Sequence, residues 1–279
     1  MAITANDVNN LRTATGAGMM DCKKALVEAE GDFDLAVEIL RKKGQKVSAK
    51  RADRDAKEGA VFIKTNENST EAAIIELNAE TDFVARNQDF QNLGESIVNL
   101  ASAQTPADLD ALKALSIDGR TVADHLTDAM ARIGEKIDVS KYERISGDQV
   151  VAYIHPGARI GVVVAFAGID GKDAGDVGKD VAMQIAAMSP LAIDKDGISE
   201  DVVNKEVEIG MELARNEGKP EAMLEKIARG KLNKFYKDNT LINQDFVKDT
   251  SKTVGQYIKE QLGADATVTG FKRVQLGAN

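Results

Sequence analysis

The sequence predicts an α+β chain: a small all-helical unit, then two related mixed halves built on antiparallel strands, the second with a helical hairpin inserted. Three observations support this. Residues 1–44 show helical spacing of apolar residues and no strand-like run. From Gly59 onward, apolar runs bounded by polar turns take over, such as "GAVFIKT" and "EAAIIELNA". The order strand, turn, strand, loop, helix then recurs from Asp148, and in both rounds the helix runs into small residues before a proline, Pro106 or Pro190.

Taken in order, residues 1–44 are expected to form three short helices. Val8, Leu11 and Arg12 lie on the first, and "TGAG" at 15–18 interrupts it. Met19 to Ala29 makes the second, with Gly31 in the usual position past a helix end. Asp32 or Asp34 caps the third, whose Leu35, Ile39 and Leu40 form an apolar face. So small a module is only marginally stable alone and suits a docking role. Residues 45–58, rich in charge, read as an exposed linker or a solvated helix.

The first half spans 59–140: two strands, a loop holding Phe83, then a helix to about Ala103. The second spans 141–279, with strands "DQVVAYIH" and "RIGVVVAFAG", the polar stretch "IDGKDAGDVGKD", the helix "VAMQIAAMSP", and a closing helix and strand. Into it is set a helical hairpin at 198–237. Val203, Val207 and Met211 form one apolar stripe, Leu224, Ala228, Leu232 and Phe235 the other, and Gly218 and Pro220 punctuate the turn.

Composition narrows the chemistry. A net formal charge of −9 argues against a broad nucleic-acid surface, and Asp53, Asp55 and Glu58 interrupt the basic run at 41–57. The opening "MAITANDVNN" lacks the features of a secretion signal, no apolar run would span a bilayer, and the lone Cys22 fits a reducing compartment, so a cytoplasmic location is expected. "GKDAGDVGKD" fails as a phosphate loop, because Asp173 and Asp180 stand where a glycine and a hydroxyl are required. "DKDGISED" fails as a calcium loop, with Ala192 and Val203 at ligand positions. His155 is the best lone candidate for acid–base work, and a contact role suits it better. His125 and the segment 104–132 carry no assigned role.

Phe83 is the anomaly: an aromatic at a strand-to-helix joint where polar turn residues belong. It reads either as a staple holding the following helix to the sheet or as an exposed contact. Three stretches bear on the choice. "LRTATGAGMMDCKKAL" at 11–26, "ETDFVARN" at 80–87 and "HPGARIGV" at 155–162 resemble, in order and spacing, the signatures of bacterial elongation factor Ts, and the likeness extends along nearly the whole chain.

That resemblance implies a guanine-nucleotide exchange factor for the translational GTPase elongation factor Tu, acting on its bound GDP and Mg²⁺ and performing no covalent chemistry. It implies no cofactor or metal of the chain's own. The N-terminal unit would be of the ubiquitin-associated type, docking through Leu11, Arg12, Met19 and Met20. Thr81, Asp82, Phe83 and Val84 would press on the partner's magnesium site. His155, Gly157, Ala158 and Arg159 would form a second contact or support region, although Gly157 and Gly161 read equally as turn glycines. The hairpin would be a coiled coil and a candidate homodimer contact. Some family members extend past the last strand into a further gripping segment; after "GFKRVQLGAN" no such contact is expected here. Two other classes remain on the residues alone: a scaffold or ubiquitin-like-binding protein, tolerant of change at Phe83, and an RNA-binding factor using 41–57, which would be salt-sensitive.

Overall fold

The computed structural model describes residues 3–51 and 53–278. Helices α1 (Ala5–Thr15), α2 (Met19–Glu28) and α3 (Phe33–Arg51) open the chain. Thr4 and Asp7 form a reciprocal capping box on α1, and Gly16 ends that helix in the left-handed conformation. Asp32 starts α3, its carboxylate accepting the Leu35 N–H at 2.9 Å. Val8, Leu11, Cys22, Ala25, Leu26, Ala29 and Ala36 make the buried core of this unit. Leu35, expected there, is 43% exposed. Ile39 and Leu40 pack on this core as expected, joined by Ala36 and Val37, so of the expected face only Leu35, in the first turn, points outward.

The charged stretch from residue 45 is no loop at its start, because α3 runs on to Arg51. Tertiary packing holds it: Gly44 is buried against α7 (Val122–Ile133), where an added Cβ would lie 3.2 Å from that of Ala131.

Strands β1 (Glu58–Thr65) and β2 (Glu71–Ala79), the single-turn helix α4 (Asp82–Ala85) and helix α5 (Gln88–Gln104) follow. Next come α6 (Leu109–Ala114), the short pair β3 (Ser116–Ile117) and β4 (Arg120–Thr121), α7, and β5 (Asp138–Ser146). The second half holds β6 (Gln149–Ile154), β7 (Ile160–Ala167), α8 (Gly175–Met188), α9 (Glu200–Asn216) and α10 (Leu224–Asn239). It closes with β8 (Asp245–Phe246), β9 (Asp249–Thr253), α11 (Val254–Leu262) and β10 (Thr267–Gln275). Helix α8 begins inside the stretch read as a polar turn, with Val177 and Gly178 buried beneath it.

Two antiparallel sheets, ordered β1-β2-β5 and β10-β7-β6, pack face to face. Helices α5 and α7 cover the outer face of the first, and α8 and α11 that of the second. The central strands β2 and β7 are therefore buried on both faces. In β2, Ala73, Ile75 and Leu77 point to the helices, while Ala72 and Ile74 meet Val150, Val163 and Ala165 of the other sheet. Gly161 lets the sheets close: a Cβ there would lie 2.5 Å from Val61 Cγ1 and 3.2 Å from the Ile63 and Ile74 Cδ1 atoms. It is a strand residue packed across the interface, not a turn glycine.

The internal likeness extends to helix endings. Thr105 after α5 and Ser189 after α8 share φ 47°, ψ 53°, each directly before a buried proline. In the hairpin, Gly210 of α9 would place a Cβ 3.1 Å from Ala228 Cα of α10, so the two helices touch closely. Gly210, Ala214, Leu224 and Ala228 form the buried seam, and the expected Val203, Val207 and Met211 flank it, half-buried. No helix among the described residues is long and apolar enough to cross a membrane.

Candidate partner-binding site

The Phe83 joint is built from the end of the most buried strand. After β2, Thr81 caps α4, its Oγ1 accepting the Val84 N–H at 3.4 Å, and Asn87 caps α5 through the Asp89 N–H at 2.8 Å. One turn of helix points successive side chains apart. Val84 packs onto the first-half core and Ala85 is buried, while Phe83 is 81% exposed. The stapling role thus falls to Val84 and Ala85, and Phe83 projects.

Its base is clamped from three directions. Glu135, just past α7, accepts the Thr81 N–H at 3.0 Å and the Thr81 hydroxyl at 2.7 Å. Glu80 accepts the Lys136 N–H at 2.7 Å. The same carboxylate takes Arg51 Nη1, from the end of α3, at 2.8 Å and Arg54 Nη1, just beyond that helix, at 2.9 Å. Burial alone would raise the Glu80 pKa, but the Lys136 N–H and the Arg54 and Arg51 guanidiniums outweigh it and hold it at about 2, from an ordinary 4.5.

This shift has a sign that can be checked. A depressed folded-state pKa adds stability that is fully present above 4.5 and is lost as pH falls toward 2. Arg54 is 56% exposed, so solvent screening leaves a contribution on the order of 1 kcal/mol at neutral pH. Urea unfolding followed from pH 6 to pH 3 should therefore fall more steeply for the intact protein than for its Glu80→Gln variant. Parallel curves would show that the clamp adds nothing.

Beside α4 lies the turn joining β6 to β7. Gly157 (φ 90°) and Ala158 (φ 53°) are both left-handed, and the Ala158 carbonyl accepts the Val61 N–H at 2.8 Å. Arg159 is ion-paired with Glu58. Glu58, Arg159, Glu80, Thr81, Asp82, Phe83 and Arg86 line one shallow depression. The structure thus brings the 81–84 segment and Arg159 together. His155 is exposed on the same turn, its Nδ1 2.9 Å from the Tyr153 hydroxyl, but is not part of the depression.

Of the residues expected to dock, Arg12 is exposed, and Met19 and Met20 are 57% and 64% exposed. Leu11 is corrected: it is fully buried within the three-helix core, where its side chain is unavailable to a partner. Reading residues in sequence missed Glu135, Lys136, Arg51 and Arg54, whose partners lie 26 to 56 positions away. Paired carboxylates and guanidiniums around a projecting aromatic offer contact and shape.

The model of the family described as Elongation factor TS matches residues 80–278. A protein of Amoebophilus asiaticus called Elongation factor Ts is 54% identical over 278 residues, the whole length of both chains. One of the same name from Cytophaga hutchinsonii is 52% identical, covering 98% of this chain and 99% of its own. Another, from Porphyromonas gingivalis, is 46% identical over the full length of both.

Proposed function

Because the chain belongs to the elongation factor Ts family, and is thus a translation elongation factor, we propose that it binds GDP-loaded elongation factor Tu and speeds GDP release by disturbing the magnesium site. The observation that carries this reading is a large aromatic, Phe83, held 81% exposed on a turn clamped at its base. An exposed Phe gains roughly 2–3 kcal/mol when a partner buries it. Spent beside a bound Mg²⁺, that free energy favours the partner conformation in which the ion is lost. The β-phosphate charge is then less well compensated and GDP leaves faster.

Arg12, Met19 and Met20 supply docking contacts on the three-helix unit, and the unbranched methionines suit an adaptable interface. The turn 155–159 supports the wedge from beside it: Ala158 anchors to β1, and Arg159 with Glu58 walls the depression. Coupling between two ligands is reciprocal, so incoming nucleotide expels the exchange factor, which is then free for another round. No step requires a cofactor or a covalent intermediate.

The test is release of a fluorescent GDP from the elongation factor Tu of the same organism, with and without this protein. Faster release is expected, with a rate that saturates as protein is added. Binding without any acceleration would overturn the proposal.

A further inference from the structure

Helix α3 belongs to two structures at once. Its first half packs Ala36, Val37 and Leu40 into the three-helix core. Its middle rests on α7 through Gly44. Its last residue, Arg51, and Arg54 just beyond it hold the Glu80 carboxylate, one guanidinium to each oxygen. Nineteen residues of helix make a rod of about 28 Å. Glu80 directly precedes Thr81, the cap of the turn that carries Phe83. A continuous helix therefore links the unit bearing Arg12, Met19 and Met20 to the base of the wedge.

We infer that Arg51 and Arg54 are positioning residues that transmit docking of the three-helix unit to Phe83 through Glu80. This rests on the exchange function proposed above. When the unit seats on the partner, the position of α3 is set, and the two guanidiniums fix where α4 stands relative to it. Without them α4 keeps its ties to Lys136 and Glu135, so the turn remains folded but is no longer referenced to the docked unit. Losing the pair removes part of the stability that Glu80 adds at neutral pH, but α3 stays anchored on α7 and α4 on Lys136 and Glu135, so both remain folded.

The test compares the intact protein with Arg51→Ala/Arg54→Ala, Arg51→Lys/Arg54→Lys, Glu80→Gln and Phe83→Ala variants. Three quantities are measured: the maximal rate of stimulated GDP release, the concentration of GDP-loaded partner at half-saturation, and the unfolding temperature. The alanine pair should lower the maximal rate about tenfold, within the roughly 5- to 150-fold range of coupling between sites. Half-saturation should change less than about twofold, because the docking residues are intact. Each arginine donates a single bond, so the lysine pair should restore most of the rate. Adding Glu80→Gln to the alanine pair should lower it no further.

A full maximal rate in the alanine pair, with Phe83→Ala impaired, would overturn this inference and leave the exchange function standing. Additive losses on combining Glu80→Gln with the alanine pair would also overturn it, since the arginines would then act elsewhere. Absence of stimulation by the intact protein would instead remove the function on which the inference rests.

Discussion

Phe83→Ala is expected to reduce the maximal stimulated release of GDP by about ten- to one-hundredfold while moving the unfolding temperature by no more than about 2 °C. The two halves of that expectation have separate causes. Phe83 is 81% exposed, so truncation removes almost no intramolecular packing, and exposed substitutions typically change stability by less than about 0.5 kcal/mol. The α4 turn is held by the side-chain cap of Thr81 and by the inward Val84 and Ala85, none of which the substitution touches. On the proposed function, what is lost is the burial of one aromatic in the partner, roughly 2–3 kcal/mol, which is up to about two decades in rate if it is expressed only in the exchange step. Stopped-flow release of fluorescent GDP and a thermal melt of the free protein measure the two halves. A full rate in the variant would move the exchange mechanism to the docking contacts on α1 and α2.

The largest effect on stability is expected from Gly161→Val. The added Cβ already lies 2.5 Å from Val61 Cγ1 in the opposing sheet, and Ile63 and Ile74 close the remaining space at 3.2 Å. Val61 and Ile74 are buried between the sheets and Ile63 is partly buried there, so relieving the clash pushes the sheets apart. Overpacking of this kind costs about 1–3 kcal/mol, and a branched residue here belongs at the upper end. For a chain of this size that is roughly 5–10 °C in unfolding temperature. Gly157→Ala, four residues earlier, makes the contrast. Its Cβ would meet nothing within 4 Å, yet φ is 90°, so only backbone strain of about 1 kcal/mol is expected. Equal stability of the two variants in urea would show that Gly161 is not needed for close sheet approach.

The fold class was legible because β1, β2, β6 and β7 are short apolar runs, and β2 and β7 are buried on both faces. Strand β5 escaped notice for a physical reason. It is an edge strand in which Val139 alone is fully buried, and a bulge opposite Glu76 and Leu77 breaks its alternation. The extension of α3 into the charged segment was equally obscure, since the packing of Gly44 on Ala131 lies 87 positions apart in sequence and leaves no local pattern. At the site, spacing marked Phe83 as out of place, and the family likeness pointed to its exposure. The clamp beneath it was illegible: Glu135 and Lys136 follow the left-handed Gly134 at the end of α7, and only folding brings them to Thr81 and Glu80. Leu11 was misplaced because a sequence motif does not distinguish residues that touch a partner from those that support them from within.

The burial of β2 on both faces has a further consequence for Phe83. A central strand covered by helices on one side and a second sheet on the other opens only with the whole domain, and the wedge begins two residues beyond its end. The aromatic is therefore presented on ground that hardly fluctuates, and inserting it into a partner freezes little backbone that was not already fixed. Ordering a flexible loop on association consumes part of the interaction free energy. On the proposed exchange function, nearly all of it would remain to act on the partner.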